Sequence, residues 1–286
     1  MSKLLRSNFA RLWKSRIFWL GMLFSAGLSV FFILMRYIDI EQHQEVYANL
    51  DESYKNADEL IFMGGIIIIF AAAVFIGIFV GTEYSDGTLR NKLIIGHSRS
   101  SIYISNLIVC TTAGIIMHLT YIITTILLGN LLLEDSTLTF KKILLLTLMG
   151  TAAMIAASSL LVMISMLIHS KSAGAVAILI ATMVMFLASM TIFQRLSTPE
   201  YNDAYSYIDK DTGKPVVVEK EKNTNYLTGT KRKVYEFLND FIPTSQFYKS
   251  ALLDSSKLDI TLIYDGIIIL ITTTAGIAVF RRKNLK

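Results

Sequence analysis

The chain has 286 residues, 53% of them hydrophobic, a mean hydropathy of +0.53 and a formal net charge of +5. A water-soluble globule would have to hide six long apolar runs inside one 286-residue core, so that class is excluded. Cys110 is the single cysteine, which excludes an intrachain disulfide and with it a stapled extracellular domain.

The first element falls within residues 1–16. Leu4, Leu5, Phe9 and Leu12 recur at helical spacing against Lys3, Arg6, Arg11 and Lys14. That is the pattern of an amphipathic helix at a membrane interface, and equally of a snorkelling basic flank to the first span. Charge interrupts the stretch and no apolar core precedes the first span, so it does not read as a signal peptide. Five runs of about 20 or more mostly apolar residues follow, at 17–35, 61–80, 102–133, 142–168 and 172–193. A sixth, at 260–280, contains one acid, Asp265. The segment between the first two spans, 36–60, is acidic and reads as a solvated loop.

Between the second and third spans lies a polar insertion from Gly81 to Arg99. Glu83 and Asp86 come first and Arg90 and Lys92 later, the charge order that complements a helix macrodipole. Leu89, Leu93 and Ile94 supply one apolar face. These features predict a short surface helix over 83–96, free to touch another protein. The second inward-facing loop, His169-Ser-Lys-Ser172, is much shorter. Within the spans, Gly77-x-x-x-Gly81 and the small runs 150–153 and 156–159 allow close helix approach. His118 sits mid-span, as a hydrogen-bonded packing residue or as a substrate contact.

The long segment 194–259 is nearly charge-neutral and is expected to fold. Tyr205–Ile208 and Val216–Val218 flank Asp211-Thr-Gly-Lys214, a hairpin pattern. Val234, Phe237, Leu238 and Phe241 form a helical stripe that Pro243 ends, and Phe247, Tyr248, Ala251 and Leu252 form another apolar group. The expectation is two short amphipathic helices whose stripe buries against the outer ends of the spans; the alternative is an extracellular cap packed on itself. Asp265 would be wetted where these elements part the lipid, with an ion site as the second reading.

Lys and Arg favour the cytoplasmic side. Placing both termini there gives the inward segments thirteen basic residues, including the 281–286 tail, against Glu83 and Asp86 alone. The basic character of the chain is therefore charge next to lipid headgroups, and nucleic acid is not expected as a partner. There is no Gly-x4-Gly-Lys-Ser/Thr loop, no His-Glu-x-x-His pair and no Gly-x-Ser-x-Gly elbow. The chain reads as catalytically empty, with no cofactor or metal of its own.

Glu83, Gly87-Thr88-Leu89 and Ser98-Arg99 resemble the loop after the second span in permease subunits of the type 2 ABC exporter family, and the six-span layout extends the resemblance over nearly the whole chain. Two positions depart: His97 stands where a proline is frequent, and Asn106 where a lysine is frequent. The resemblance implies an all-α integral membrane protein with six transmembrane helices, both termini cytoplasmic, an N-terminal interfacial helix and short re-entrant outer helices. It implies coupling to an ATPase through Glu83, Asp86, Gly87, Thr88, Leu89 and Arg90, with Arg99 coupling or anchoring the third span at phosphate headgroups. It implies an outer gate at Phe237, Leu238, Phe241 and Pro243, and a pathway near His118 and Asp265. Partners would be two copies of a cytoplasmic ABC ATPase, which hold the ATP and Mg, and a second permease chain, identical or paralogous. The substrate would be an amphipathic or antimicrobial peptide, expelled across a bacterial cell membrane; richness in Ile, Lys and Asn fits a low-GC bacterium. A secondary transporter, or a polytopic scaffold without an ATPase, is the alternative. Few intramembrane charges and no inverted repeat weigh against the former.

Overall fold

Six apolar helices long enough to cross a membrane run through the computed structural model, which describes residues 1–48, 55–208 and 215–283. Helix α1 (Ser2–Trp13) is separated from α2 (Arg16–Gln42) by a turn in which the Ser15 hydroxyl accepts from the Phe18 backbone N–H. Helix α2 continues past the expected end at 35, and α3 (Gln44–Ala48) follows, so the acidic segment 36–60 is partly helical. Residues 49–54 of that segment lie outside the described residues.

The second span comes in two pieces, α4 (Asp58–Met63) and α5 (Gly65–Ser85). At the break the Tyr121 hydroxyl donates to the Leu60 carbonyl at 2.6 Å, and the Tyr121 ring fills the space a Cβ on Gly64 would need. The apolar run is unbroken here, so its hydropathy carried no sign of the interruption. The next elements are α6 (Thr88–Ile94), α7 (Arg99–Leu132), α8 (Phe140–Leu167) and α9 (Lys171–Leu196). Ser98, Thr139 and Ser170 cap the last three of these by accepting from backbone N–H groups three residues on.

Strands β2 (Tyr205–Ile208) and β3 (Pro215–Val218) pair antiparallel, with Tyr205 opposite Val218. The flanking β1 (Tyr201–Asn202) and β4 (Glu221–Lys222) extend the ribbon. The turn expected at Asp211–Lys214 lies outside the described residues. Helices α10 (Gly229–Phe241), α11 (Pro243–Ala251) and α12 (Leu258–Arg282) complete the chain.

Helix α8 is the central column and packs on α5, α7, α9, α11 and α12. The Gly77-x-x-x-Gly81 pair lies against the start of α9: added Cβ atoms would meet Ala175 Cα at 3.0 Å and Lys171 Cγ at 2.9 Å. At the end of the bundle away from α1, Asp58 accepts from the Thr137 N–H at 3.0 Å, the Thr137 hydroxyl at 2.7 Å and the Ser136 hydroxyl. One buried carboxylate thus pins the α7–α8 loop onto α4.

Helix α11 is inserted into the end of the bundle away from α1. It begins with Pro243 in its first turn, a position where the missing N–H costs nothing, and is buried against α4, α8 and α9. Thr244 and Ser245 join Ser189 of α9 at 2.6 and 2.8 Å. The stripe on α10 behaves differently from its expectation. Phe237 and Phe241 stack on each other and meet Tyr264 edge-on, but Phe237 stays 46% exposed and Val234 48%. Leu238 and Phe241 are half-buried. The stripe is half-covered because α10 rests on α9, α11 and α12 at the rim, whereas α11 takes the interior position. Its charged side is fixed by Asp240, which accepts from Lys249 at 2.7 Å and Lys257 at 2.9 Å.

Candidate functional site

The polar insertion after the second span is two elements, not the single helix expected over 83–96. Helix α5 carries Glu83 to its last turn and ends with Asp86 as its cap. Gly87 then adopts φ +66°, a left-handed conformation that only glycine reaches cheaply, and α6 starts afresh at Thr88. Glu83 and Asp86 therefore sit at the C-terminal end of one helix, where its dipole opposes them, and not at the start of the next.

Basic partners offset that cost at Glu83. The residue is fully buried, not displayed on the surface. Its Oε1 accepts from Lys92 Nζ of α6 and from Arg11 of α1 at 2.6 Å. Its Oε2 accepts from Asn106 Nδ2 of α7 at 2.7 Å. Asn8 of α1 closes the ring: it accepts from Lys92 Nζ at 2.9 Å and donates to Ser105 Oγ at 2.8 Å and Asn106 Oδ1 at 3.1 Å. The Arg11 guanidinium also lies 3.6 Å over the Phe79 ring. One carboxylate thus joins α1, α5, α6 and α7. Burial pushes the Lys92 ammonium below the ordinary lysine range, and Glu83 beside it pulls the other way.

Asn8, Arg11, Lys92, Ser105 and Asn106 were not anticipated as members of this hub. The signal at Asn8 is a polar residue on the Leu4–Leu12 stripe: the buried positions of α1 are Leu4, Asn8 and Leu12. Asn106 is the position already marked as a departure from the resembled pattern.

Helix α6 presents two faces. Leu89 and Leu93 pack inward. Ile94 and Ile95 are 74% and 76% exposed, and Arg90 is exposed beside them. Next to this surface a cleft of about 240 Å³ is lined by Tyr84, Ser85, Gly87, Leu89, Arg90 and His169, with Glu83 behind them. The Tyr84 and His169 rings lie 6.0 Å apart, so the short 169–172 loop meets the insertion here.

Arg99 is tied to the end of the last span. Its Nη1 donates to the carbonyls of Phe280, at 3.1 Å, and Lys283, which closes the C-terminal end of α12. Lys283 in turn donates to the Met166 carbonyl at the end of α8 and to Tyr84 Oη, both at 2.8 Å. Burial lowers its ammonium to about 8.

His118 and Asp265 lie towards the other end, one on each side of α11. Phe247 meets His118 edge-on at 5.6 Å, while the neighbouring Gln246 donates to Asp265 Oδ1 at 2.9 Å. His118 finds no hydrogen-bond partner among the described residues. Gly65, Gly150 and the Phe247 ring, which lie against it, carry no side-chain acceptor. Asp265 is buried under α11 instead of wetted. Its second oxygen and the Gln246 amide oxygen are both unpartnered among the described residues.

The family described as "ABC-2 family transporter protein" matches residues 4–198, a stretch holding five of the six spans and every residue of the Glu83 hub. No curated protein matches the chain.

Proposed function

The chain belongs to the ABC-2 family of transporter proteins, and from that premise we propose that it is the membrane half of an ATP-driven exporter whose ATPase subunit docks on α6. The family makes it a non-catalytic permease component of an ABC transporter, set in a membrane and served by a separate ATPase. The finer assignment rests on one observation: α6 exposes Ile94, Ile95 and Arg90 at a polar end of the bundle, while its inner side is tied through Lys92 to Glu83 and so to three further helices. A protein pressing on α6 would displace α1, α5 and α7 together.

In this reading α6 and the Tyr84–His169 cleft are the docking surface. Glu83 is a positioning residue that passes the displacement inward and does not touch the partner. Arg99 and Lys283 hold the ends of α8 and α12 to the same region, so the last span follows. The end bearing α1, α6 and Lys283 is cytoplasmic, in keeping with its basic residues. Two permease chains, each with an ATPase that binds ATP and Mg, rock to open the pathway outward. The rim formed by Phe237, Leu238, Phe241 and Pro243 is the outer gate, and α11, between His118 and Asp265, lines the approach to it. An aromatic, half-exposed rim suits an amphipathic peptide as cargo, and a bacterial cell membrane as the setting.

Co-expression with the candidate ATPase tests this. The expected result is a stoichiometric complex that Ile94→Asp together with Ile95→Asp dissolves while the permease stays folded. A complex unchanged by those substitutions would move docking elsewhere on the chain. Outward peptide accumulation in vesicles, dependent on ATP, checks direction and cargo.

A further inference from the structure

Two cations flank the elbow between α1 and α2 with no acid to answer them. Lys14 caps α1 and Arg16 opens α2; both are exposed, and neither forms an ion pair with a described residue. With Trp19, Leu20 and Leu23 they border a depression of about 450 Å³. Leu20 also borders a second hollow of about 510 Å³, an apolar furrow between α2 and α5 walled by Phe24, Phe70, Ala71 and Val74. The two hollows adjoin at Leu20.

A cationic mouth above an apolar furrow, on the outer face of a membrane-spanning helix, fits an amphiphile with a negative head and a hydrocarbon chain. We propose that this elbow binds one anionic glycerophospholipid, its phosphate between Lys14 and Arg16 and one acyl chain in the α2–α5 furrow. The N-terminal end of α2 adds its positive dipole at the same spot. A zwitterionic headgroup would bring its own cation against Lys14 and Arg16 and bind less well. The elbow is held in shape without the lipid: the Trp13 and Trp19 rings are 6.2 Å apart, and the Trp19 indole N–H donates to the Trp13 carbonyl at 2.9 Å. The furrow would equally seat a helix of a second copy, but a protein helix gives Lys14 and Arg16 no anion.

Trp13 and Trp19 are the only tryptophans of the chain, so its intrinsic fluorescence reads this elbow. The full-length permease, reconstituted in vesicles of phosphatidylcholine, is titrated with phosphatidylglycerol or phosphatidylcholine brominated in the acyl chains. Half-maximal quenching is expected at a roughly tenfold lower mole fraction of the brominated phosphatidylglycerol. Lys14→Gln with Arg16→Gln, both at exposed positions, should bring the two curves together. Ala71→Phe, which fills the furrow and leaves the charge alone, should raise the phosphatidylglycerol fraction required. Inorganic phosphate at matched ionic strength should leave the preference intact. Equal curves in the native chain, or a preference that survives the double substitution, would overturn the proposal. Loss of the preference on adding phosphate would assign the cations to a soluble anion and overturn it too. Quenching by neither lipid, with copies cross-linking through Phe24→Cys, would give the furrow to a second copy instead.

Discussion

Glu83 and Lys92 face each other across the left-handed turn at Gly87, one closing the second span and the other on the inner side of the short helix that follows. Nine residues apart in sequence, they make the two elements one mechanical unit. Breaking a buried pair by deleting one partner leaves the other charge unmet, which costs about 3–5 kcal/mol.

That separates two substitutions which look alike in sequence. Glu83→Ala leaves Arg11 and Lys92 without their anion and should lower the melting transition of the detergent-solubilised permease by several degrees. Arg90→Ala removes an exposed charge worth no more than about 0.5 kcal/mol to the fold. It should leave melting unchanged and weaken capture of the ATPase. Equal melting of both variants would remove Glu83 from the structural role given to it.

Lys283 sets a pH dependence. Its ammonium titrates near 10.5 in the unfolded chain and near 8 when folded. Between those values the unfolded state binds more protons, so stability rises with pH across that window. Melting followed from about pH 7.5 to about pH 9.5 should climb. Lys283→Met should flatten the climb, since Tyr84 and Met166 then face a side chain that carries no proton.

The Gln246–Asp265 pair has one hydrogen bond, and each side keeps an oxygen unpartnered among the described residues. In Asp265→Asn the new amide brings donors to the unpartnered Gln246 oxygen and keeps an acceptor for Gln246 Nε2. A gain of about 1 kcal/mol is expected. Asp265→Leu removes one of the two acceptors of Gln246 Nε2, leaving only the Asp240 carbonyl, and should cost about 1–3 kcal/mol. Thermal melting of the two variants checks the order; a more stable Leu variant would contradict it.

Phe237 and Phe241 touch each other and Tyr264 at the rim, contacts worth about 0.5–1.5 kcal/mol per aromatic pair. Changing both to Ser should reduce ATP-dependent peptide export in vesicles and leave ATPase capture intact. Unaltered export would make α10 a cover for α11 and nothing more.

The spans were legible because hydropathy is a local property, and so was the pairing of 205–208 with 215–218, whose strand residues lie close together in sequence. The break at Gly87 was not read, since the same charge order fits one helix or two until the glycine's φ is known. The acceptors of Arg99, the carbonyls of Phe280 and Lys283, lie more than 180 residues away, so no local pattern could connect them. His118 invited a hydrogen bond by its type alone; the glycines that surround it come from other helices. Asn8 was the missed opportunity, a polar residue visible on an apolar stripe.

The interruption at Gly64 has its own bearing on movement. The second span is two helices end to end, with Gly64 keeping helical φ and ψ between them. Asp58 and α11 hold the 58–63 helix to the end of the bundle away from α1, while the 65–85 helix ends in the Glu83 hub. Any displacement that the Glu83 hub passed into the 65–85 helix would meet this junction, where the Tyr121 hydroxyl already occupies the Leu60 carbonyl.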